Sequence, residues 1–342
     1  MQLSVAKNII EKSIHSQIDL AKGCDSSRVI PYLVSEPGLG KTSIVKTVAR
    51  ENNMSCRVLT LAQYDAGEIA GWLIVDGKKM NRAIPDWMPQ GNTGILFLDE
   101  LPQAPVSNMN ISAQIINERR VGRHRLPEKW AVVCAGNKLS NRAGTNAMPT
   151  HVRDRLMFLN IEADLEEFIE YGIGKDFKPL VLSFLRFRPV HLQKFDRNAD
   201  ACPSPRSWER VNTLLRLALD PIEMQESISG TVGKEACADL YGYMDIFDSC
   251  PDIRELIKNP QTADIPDDPA VSYAICANLS YSMNNSNGKN IITYLNRLPN
   301  KEYVAFVIKD AITREPKLKS APFMMPVFRD KGAMKELALD FE

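Results

Sequence analysis

The chain contains 342 residues, and its 42 lysines and arginines balance 42 aspartates and glutamates, so the formal net charge is zero. Balanced charge argues against a basic tail and against a wholly basic nucleic-acid-binding protein. Hydrophobic residues make up 44% of the chain and charged residues 25%, which is typical of a globular protein and excludes a disordered or fibrous one as the main state. The length is sufficient for two domains of about 150 residues each.

The chain shows no signal of a membrane segment or of a disulfide framework. No apolar run reaches the roughly 18 residues that span a bilayer, and the first twenty residues are periodic and polar, so we expect no membrane association and a cytoplasmic location. The seven cysteines are widely spaced without a CxxC pair, which is typical of reduced thiols. The four histidines never reach a metal-ligand spacing, so a zinc site of Cys and His is not expected.

The first half of the chain alternates apolar runs with helix-compatible stretches. Residues 1–22 place apolar side chains at mostly helical spacing, which predicts an amphipathic helix. Five short β-like runs follow: Val29–Val34, Cys56–Leu61, Ile95–Leu98, Ala131–Ala135 and Leu156–Ile161. Strands that alternate with helices predict βαβ units and a parallel sheet, and therefore an α/β domain over residues 1–163.

The second half has a different pattern. Three segments show helical periodicity, and none reads as a convincing strand: Asp164–Tyr171, Lys178–Phe187 and Ser207–Leu219. Proline and acidic residues mark 259–269 as a loop between helical parts, and Asn284–Asn290 reads as a polar loop. We therefore predict a mainly helical domain over residues 164–342.

Residues 29–48 form the most informative segment, in which a hydrophobic run leads into SEPGLGKT and then into a helix beginning near Lys41. Gly38 and Gly40 let the backbone curl so that N–H groups face phosphate oxygens, and the helix N-terminus adds its positive dipole end. Lys41 would reach the β and γ phosphates, and the Thr42 hydroxyl would bind magnesium. The residues expected to contact the nucleotide here are Glu36, Pro37, Gly38, Leu39, Gly40, Lys41, Thr42 and Ser43.

The glycine loop departs from the full pattern GxxxxGK[ST] at one position, because Ser35 stands where the pattern begins with glycine. The alternative interpretation is an ordinary glycine turn beside a surface lysine. Placement after a strand and before a helix favours the phosphate-binding loop. The sequence leaves the effect of Ser35 on nucleotide affinity open.

Polar residues follow two further apolar runs. Asp99 and Glu100 come directly after Ile95–Leu98, at the strand end where ligands of open α/β sheets bind. Asp99 suits a magnesium shell, and Glu100 suits a general base for the attacking water. Asn137 follows the next run and could orient that water. The alternatives are a solvated loop for the acids and a turn for Asn137.

The base of the nucleotide can be argued from the residues that follow Asn137. A GTPase would recognise guanine with NKxD, but this chain reads NKLS. Serine at the last position cannot present the paired acceptors that the donors of guanine require, so adenine is favoured.

Five segments, in this order, resemble an AAA+ ATPase of the MoxR type: SEPGLGKT, ILFLDELPQAP, NERRVGRHRLPEKWAVVCAGNKLSNRAG, MPTHVRDRL and PSPRSWERV. The resemblance covers about residues 28–215. It implies an αβα P-loop core with a parallel sheet, followed by a helical lid, and assembly as a ring of six with ATP between neighbours. Residues 220–342 resemble nothing recognised and would form a C-terminal helical extension.

The resemblance also implies roles for single residues. Lys41 and Thr42 correspond to the Walker A motif. Asp99 and Glu100 correspond to Walker B, and Asn137 corresponds to the sensor-1 residue. Arg155 corresponds to the arginine finger that a neighbouring subunit supplies, with Arg153 as the alternative. Arg206 corresponds to the sensor-2 arginine, which would carry the nucleotide state into lid movement. A surface ion pair is the alternative for Arg155 and Arg206.

Two further segments fit the family. The run RRVGRHR, residues 119–125, would form a β-hairpin that points toward the pore of the ring, where its arginines could grip phosphate or an acidic client. Intersubunit salt bridges on a solvated hairpin are the alternative. Asp65, Gly71 and the PDWMP run are expected to serve packing and pore geometry.

The sequence therefore predicts an ATP- and magnesium-dependent ATPase that forms a homo-oligomeric ring and remodels or matures a protein client. The MoxR type commonly works with a von Willebrand factor A domain, and since the chain has no DxSxS motif such a partner would be a separate protein. One alternative is a nucleic-acid motor or loader, for which the pore arginines would be the contact. The other is a nucleotide-binding switch without hydrolysis, which Ser35 suggests.

Overall fold

The computed structural model describes residues 1–19, 28–138 and 146–329, and the chain divides into two compact units. The first unit runs from Met1 to Asp164, and the second begins at Leu165. The strands described are β1 (Ile30–Ser35), β2 (Ser55–Thr60), β3 (Leu73–Asp76), β4 (Lys79–Arg82), β5 (Gly94–Asp99), β6 (Arg120–Val121), β7 (His124–Arg125), β8 (Trp130–Asn137) and β9 (Leu156–Asn160). The helices of the first unit are α1 (Leu3–Asp19), α2 (Lys41–Glu51), α3 (Ala66–Ala70), α4 (Val106–Glu118) and α5 (Thr150–Arg153).

Five strands of the first unit form one parallel sheet in the order β2-β5-β8-β1-β9. Each of the five predicted β-like runs is one of these strands, with bounds within two residues of the prediction. The predicted α/β fold with a parallel sheet is therefore confirmed. Residues 20–22, the end of the predicted first helix, lie outside the described residues.

Helices cover both faces of the sheet. Alternate side chains of each strand point to opposite faces, so each strand packs against both layers of helices. On β5, Ile95 and Phe97 pack in one core cluster with α1 and α2, whereas Leu96 and Leu98 pack in another with α4. All four side chains are fully buried. Burial on both faces explains why the three central strands, β5, β8 and β1, read as continuous apolar runs rather than as alternating ones.

Two short antiparallel hairpins accompany the sheet. The pair β6–β7 is the hairpin that the resemblance implied at residues 119–125. The pair β3–β4 was not predicted as strands and lies within the segment assigned to packing and pore geometry. In the same segment Trp87 is fully buried and its indole N–H donates to the Ile69 carbonyl at 3.1 Å, so the PDWMP run does serve packing.

The regular elements described in the second unit are all helices, so its mainly helical character is as predicted. Its helices are α6 (Leu165–Gly174), α7 (Pro179–Phe187), α8 (Pro205–Leu214), α9 (Pro221–Val232), α10 (Lys234–Asp248), α11 (Ile253–Lys258), α12 (Pro269–Ser282), α13 (Gly288–Leu295), α14 (Glu302–Arg314) and α15 (Met325–Arg329). A large apolar cluster joins α12, α13 and α14. This packing, rather than helix propensity alone, stabilises the short helices.

Some of the predicted bounds in the second unit are wrong. The helix expected over Ser207–Leu219 ends at Leu214 and begins at Pro205, where the Ser204 hydroxyl accepts the Ser207 N–H and caps the first turn. The polar loop expected over residues 284–290 ends earlier, because Gly288 already begins α13. The Asn284 side chain accepts the backbone N–H of Ser286 at 2.9 Å, and this turn completes the loop within four residues.

The described cysteines are all free thiols, at positions 56, 134, 202, 237, 250 and 276. Among the described helices, none combines the length and the apolar character needed to cross a bilayer.

A buried ion network joins three helices of the second unit. Arg186 donates to Glu166 at 2.6 Å and to Asp310 at 2.7 Å, and Lys309 lies 3.4 Å from the same glutamate. The Arg186 and Asp310 side chains are only 8% and 12% exposed. Burial raises the pKa of Asp310 to about 6, although the neighbouring guanidinium favours the charged form.

We expect the network to make the unfolding free energy fall as the pH rises from about 4 to about 6. In this window the native chain retains the Asp310 proton that the unfolded chain has released, and the fall can reach about 3 kcal/mol. Asp310→Asn should abolish this part of the pH dependence, as measured by denaturant unfolding of the full chain at both pH values. Asp248→Asn, at an exposed aspartate, is the control. A fall of the same size in Asp310→Asn would contradict the prediction.

Candidate functional site

The glycine loop connects β1 to α2 through residues 36–40. Gly38 and Gly40 have φ angles of 87° and 77°, a left-handed conformation that side-chain-bearing residues rarely adopt. Gly40 occupies the N-cap position of α2 and offers no side chain to the first N–H groups of the helix. Helix-terminal N–H groups of this kind, together with the helix dipole, favour an anion at this end of α2.

Lys41, the first residue of α2, reaches back across the loop to two neighbouring strand ends. Its ammonium donates to the Asn137 carboxamide oxygen at 2.8 Å and to the Ser35 hydroxyl at 2.9 Å. Lys41 also lies 3.4 Å from the Glu36 carbonyl oxygen. The structure therefore brings together the predicted Walker A lysine and the predicted sensor-1 asparagine.

Thr42 and Asp99 form a second contact at the same edge of the sheet. The Thr42 hydroxyl donates to Asp99 Oδ2 at 2.8 Å. Mg²⁺ takes oxygen ligands in an octahedron at about 2.1 Å, so two adjacent ligands lie about 3 Å apart. The hydroxyl and carboxylate oxygens have the chemistry and the spacing of two adjacent magnesium ligands, and they fit the predicted metal.

Glu100 follows β5 in an unusual backbone conformation. Its φ and ψ angles are 56° and 36°, in the left-handed region that a residue with a side chain enters at a cost. The Asp99 carboxylate accepts the Glu100 N–H at 2.9 Å and fixes the turn. Strained backbone conformations of this kind concentrate at functional sites. Here the left-handed conformation of Glu100, the predicted general base, turns the chain away from the direction of β5.

Strand register explains why these residues meet. Ser35 of β1 lies opposite Asn137 of β8, and Leu98 of β5 lies opposite Cys134 on the other side of β8. The carboxyl ends of three adjacent parallel strands therefore lie side by side, with β8 in the middle. Ligands of open parallel sheets bind at this end.

The predicted arginines lie on other elements. Arg153 ends α5, and Arg155, two residues on, donates to the His151 carbonyl oxygen; both side chains are exposed. Arg206 is exposed in the first turn of α8, in the second unit. Both Arg153 and Arg155 are exposed, so exposure does not show which of them is the predicted arginine finger.

The four arginines of residues 119–125 are not equivalent. Arg119 is buried, and its guanidinium donates to the carbonyl oxygens of Pro127 and Glu128, so it stabilises the chain after the hairpin. Arg120 pairs with Glu118. Arg123 and Arg125 are exposed, and the Arg120 side chain is 36% exposed. Of the four arginines, Arg119 is therefore the one that is not available to grip a client.

The β3–β4 hairpin, residues 72–84, carries exposed apolar side chains that the sequence did not lead us to expect. It exposes six large apolar side chains, each with about half or more of its surface in solvent: Trp72, Leu73, Ile74, Val75, Met80 and Ile84. A two-stranded ribbon has no second layer to cover them, and a concentration of exposed apolar side chains favours an interaction site. The Asp-Gly pair at 76–77, which follows the apolar run 72–75, is the hairpin signal that could have revealed it.

The two hairpins lie against each other. His124 of β7 has its Nε2 2.9 Å from the Arg82 carbonyl oxygen of β4, and since a carbonyl only accepts, the ring N–H donates. The two hairpins also expose the cations Lys78, Lys79, Arg123 and Arg125. We call the exposed side chains of both hairpins the hairpin surface.

Solved structures with a similar fold include two kinds of protein at low identity. The RuvB Holliday junction branch migration motor of Thermotoga maritima is 15% identical, with 80% of this chain and 81% of that chain covered and a TM-score of 0.38. NtrX of Brucella abortus in complex with ADP is 14% identical, with coverage of 93% and 72% and a TM-score of 0.39. NtrX in complex with ATP is 15% identical, with coverage of 91% and 67% and a TM-score of 0.37.

No curated protein matches the chain at a significant level. The family model for the ATPase family associated with various cellular activities (AAA) matches residues 31–150. The matched segment begins in β1 and ends at the first residue of α5, so it contains the glycine loop, Asp99, Glu100 and Asn137. The chain thus carries an AAA ATPase family domain, which occupies residues 31–150 of a P-loop α/β unit.

Proposed function

We propose that the protein is a ring-forming, magnesium-dependent ATPase that uses ATP hydrolysis to remodel or mature a protein client, as the resemblance to the MoxR type implies. The observation that supports ATP hydrolysis is that two hydrogen bonds between the predicted site residues lie at the same edge of the sheet. Lys41 bonds to Asn137 at 2.8 Å, and Thr42 bonds to Asp99 at 2.8 Å.

Each of these side chains has a defined task in hydrolysis. The loop N–H groups and the Lys41 ammonium neutralise charge on the phosphates, which is where charge is concentrated in phosphoryl transfer. Glu100 accepts a proton from the attacking water, and Asn137 holds that water by a hydrogen bond. Thr42 and Asp99 would hold magnesium, which would supply further charge neutralisation at the phosphate oxygens.

The remaining roles depend on assembly. Arg155, exposed after α5, would enter the nucleotide site of a neighbouring subunit and stabilise the transferring phosphoryl group. Arg206, on the first turn of α8, would respond to the nucleotide and move the helical second unit as a lid. Hydrolysis would then require a ring, and it would be converted into movement of the lid and of the hairpins.

The hairpin surface supports a protein client of defined chemistry. Exposed apolar side chains bind apolar side chains, and the four flanking cations bind carboxylates. A polypeptide segment that combines apolar and acidic residues satisfies both. A separate von Willebrand factor A domain protein could present such a segment or deliver the client.

The hairpin surface also weighs against a nucleic-acid motor. Nucleic-acid binding depends mainly on cations that neutralise phosphates. Arg119 is buried and bonds to carbonyl oxygens, and the Arg120 guanidinium is paired with Glu118, so two arginines of the run, Arg123 and Arg125, remain both exposed and without an acidic partner among the described ion pairs. The same surface exposes six large apolar side chains, which a phosphate backbone would not bury.

We expect polar substitution of the hairpin surface to abolish client binding without abolishing ATP turnover. Val75 and Met80 lie opposite each other on β3 and β4 and are 77% and 62% exposed. The double variant Val75→Ser, Met80→Ser should bind a fluorescent peptide of alternating apolar and glutamate residues at least tenfold more weakly, because it loses two apolar side chains that the bound peptide would bury. Fluorescence anisotropy measures the binding, and phosphate release measures the turnover.

The control double variant is Val190→Ser, Ile222→Ser, at positions of the second unit that are 61% and 75% exposed. It should bind the peptide normally. A peptide with lysines in place of the glutamates should bind weakly to the unaltered chain. Equal loss in both double variants would reject the hairpin surface as the client site, and turnover that persists in Lys41→Ala would reject the ATPase assignment.

A further inference from the structure

Ser35 stands at the one position where the glycine loop departs from its common pattern. It is the last residue of β1, and its side chain is fully buried. Its hydroxyl oxygen lies 2.9 Å from the Lys41 ammonium. A glycine at this position would provide no such oxygen.

The direction of the contact is fixed by a second hydrogen bond. The Ser35 hydroxyl donates its single proton to the Glu36 carbonyl oxygen at 2.8 Å. Toward Lys41 the hydroxyl oxygen can therefore only accept, which matches an ammonium that can only donate. The Lys41 ammonium is therefore the donor of this hydrogen bond, and the Ser35 hydroxyl oxygen is the acceptor.

The backbone holds this oxygen in place. Ser35 pairs with Asn137 across β1 and β8, and its carbonyl oxygen accepts the Lys138 N–H at 3.3 Å. Lysine carries its charge on a flexible stem of four carbons, so one contact alone leaves the ammonium loosely placed. Ser35 and Asn137 together fix it from two adjacent strands.

We propose that Ser35 is a positioning residue that holds the Lys41 ammonium beside Asn137, where it meets the phosphates of the nucleotide. The proposal rests on the proposed ATPase function. Ser35 would then contribute to catalysis in place of the usual glycine. This role argues against the alternative of a nucleotide-binding switch without hydrolysis.

Removing the hydroxyl tests the proposal. Ser35→Ala and Ser35→Gly should each lower kcat/KM for magnesium ATP about tenfold, the loss expected when a hydrogen bond to a charged group is deleted. Ser112→Ala is the control, because that hydroxyl is equally buried but bonds to the Met109 carbonyl outside the site. Unchanged or higher kcat/KM in Ser35→Gly would overturn the proposal.

A double-mutant cycle separates positioning from a general structural role. Denaturant unfolding without nucleotide is measured for the unaltered chain, Ser35→Ala, Lys41→Ala and the double variant. The proposal expects Lys41→Ala to lower the unfolding free energy clearly less in the Ser35→Ala variant than in the unaltered chain, because the shared contact is already absent there. Losses of unfolding free energy that simply add would overturn the proposal. The cycle needs no turnover, so it remains readable if the unaltered chain hydrolyses no ATP, a result that would reject the proposed function instead.

Discussion

Glu100→Gln is expected to bind ATP with nearly unchanged affinity and to hydrolyse it at least about a hundredfold more slowly. Glutamine keeps the size of glutamate and one acceptor oxygen but cannot take a proton from water, and general-base catalysis contributes about this factor. The Glu100 N–H bond to Asp99 is a backbone contact, so the left-handed turn should persist in the variant. A loss confined to kcat, with ATP affinity retained, would identify an interaction made only during reaction.

The measurement combines phosphate release with equilibrium binding of a fluorescent ATP analogue. Glu128→Gln provides the matched control, since this glutamate is exposed and lies outside the site. Hydrolysis that continues at the unaltered rate in Glu100→Gln would remove Glu100 from its role. Loss of ATP binding in this variant would mean that the substitution damages the loop, and Asp99→Asn would then be expected to behave in the same way.

The parallel sheet was predictable because its three central strands, β5, β8 and β1, are buried on both faces. A run such as Ile95–Leu98 must be apolar at every position when both layers of helices cover it, so it is visible without three-dimensional information. The ligand-binding edge follows from the same runs, since polar residues that end parallel strands collect at one edge. Register then supplies what the sequence lacked, namely that Ser35 lies opposite Asn137.

The hairpins show where prediction from residue types fails. The exposed run at residues 72–75 is as apolar as a core strand, and only its exposure in the structure distinguishes the two. Arg119 and Arg123 are identical in the sequence, but Arg119 adopts a φ angle of 52° at the end of α4 and turns its side chain inward to two carbonyl oxygens. Tertiary contacts, rather than residue type, decide which arginine is available.

Mixing two inactive variants is expected to restore hydrolysis if Arg155 acts on a neighbouring subunit. Arg155→Ala leaves a subunit with an intact glycine loop but no arginine to offer, and Lys41→Ala does the reverse. At an interface where the first variant provides the loop and the second provides the arginine, every group of the site is present. With random mixing in equal amounts this holds at about one interface in four, so about a quarter of the unaltered activity is the upper limit.

The local structure makes this test selective between two candidates. Arg153 and Arg155 flank the end of α5 two residues apart, and both are exposed, so burial cannot distinguish them. Arg153→Ala, mixed with Lys41→Ala in the same way, is the matched comparison. Recovery with Arg155→Ala, together with an Arg153→Ala variant that is active alone, would assign the finger to Arg155. If mixed assemblies form, as labelled subunits would show, and neither mixture recovers activity, then the arginine acts within its own subunit and hydrolysis does not depend on a neighbour.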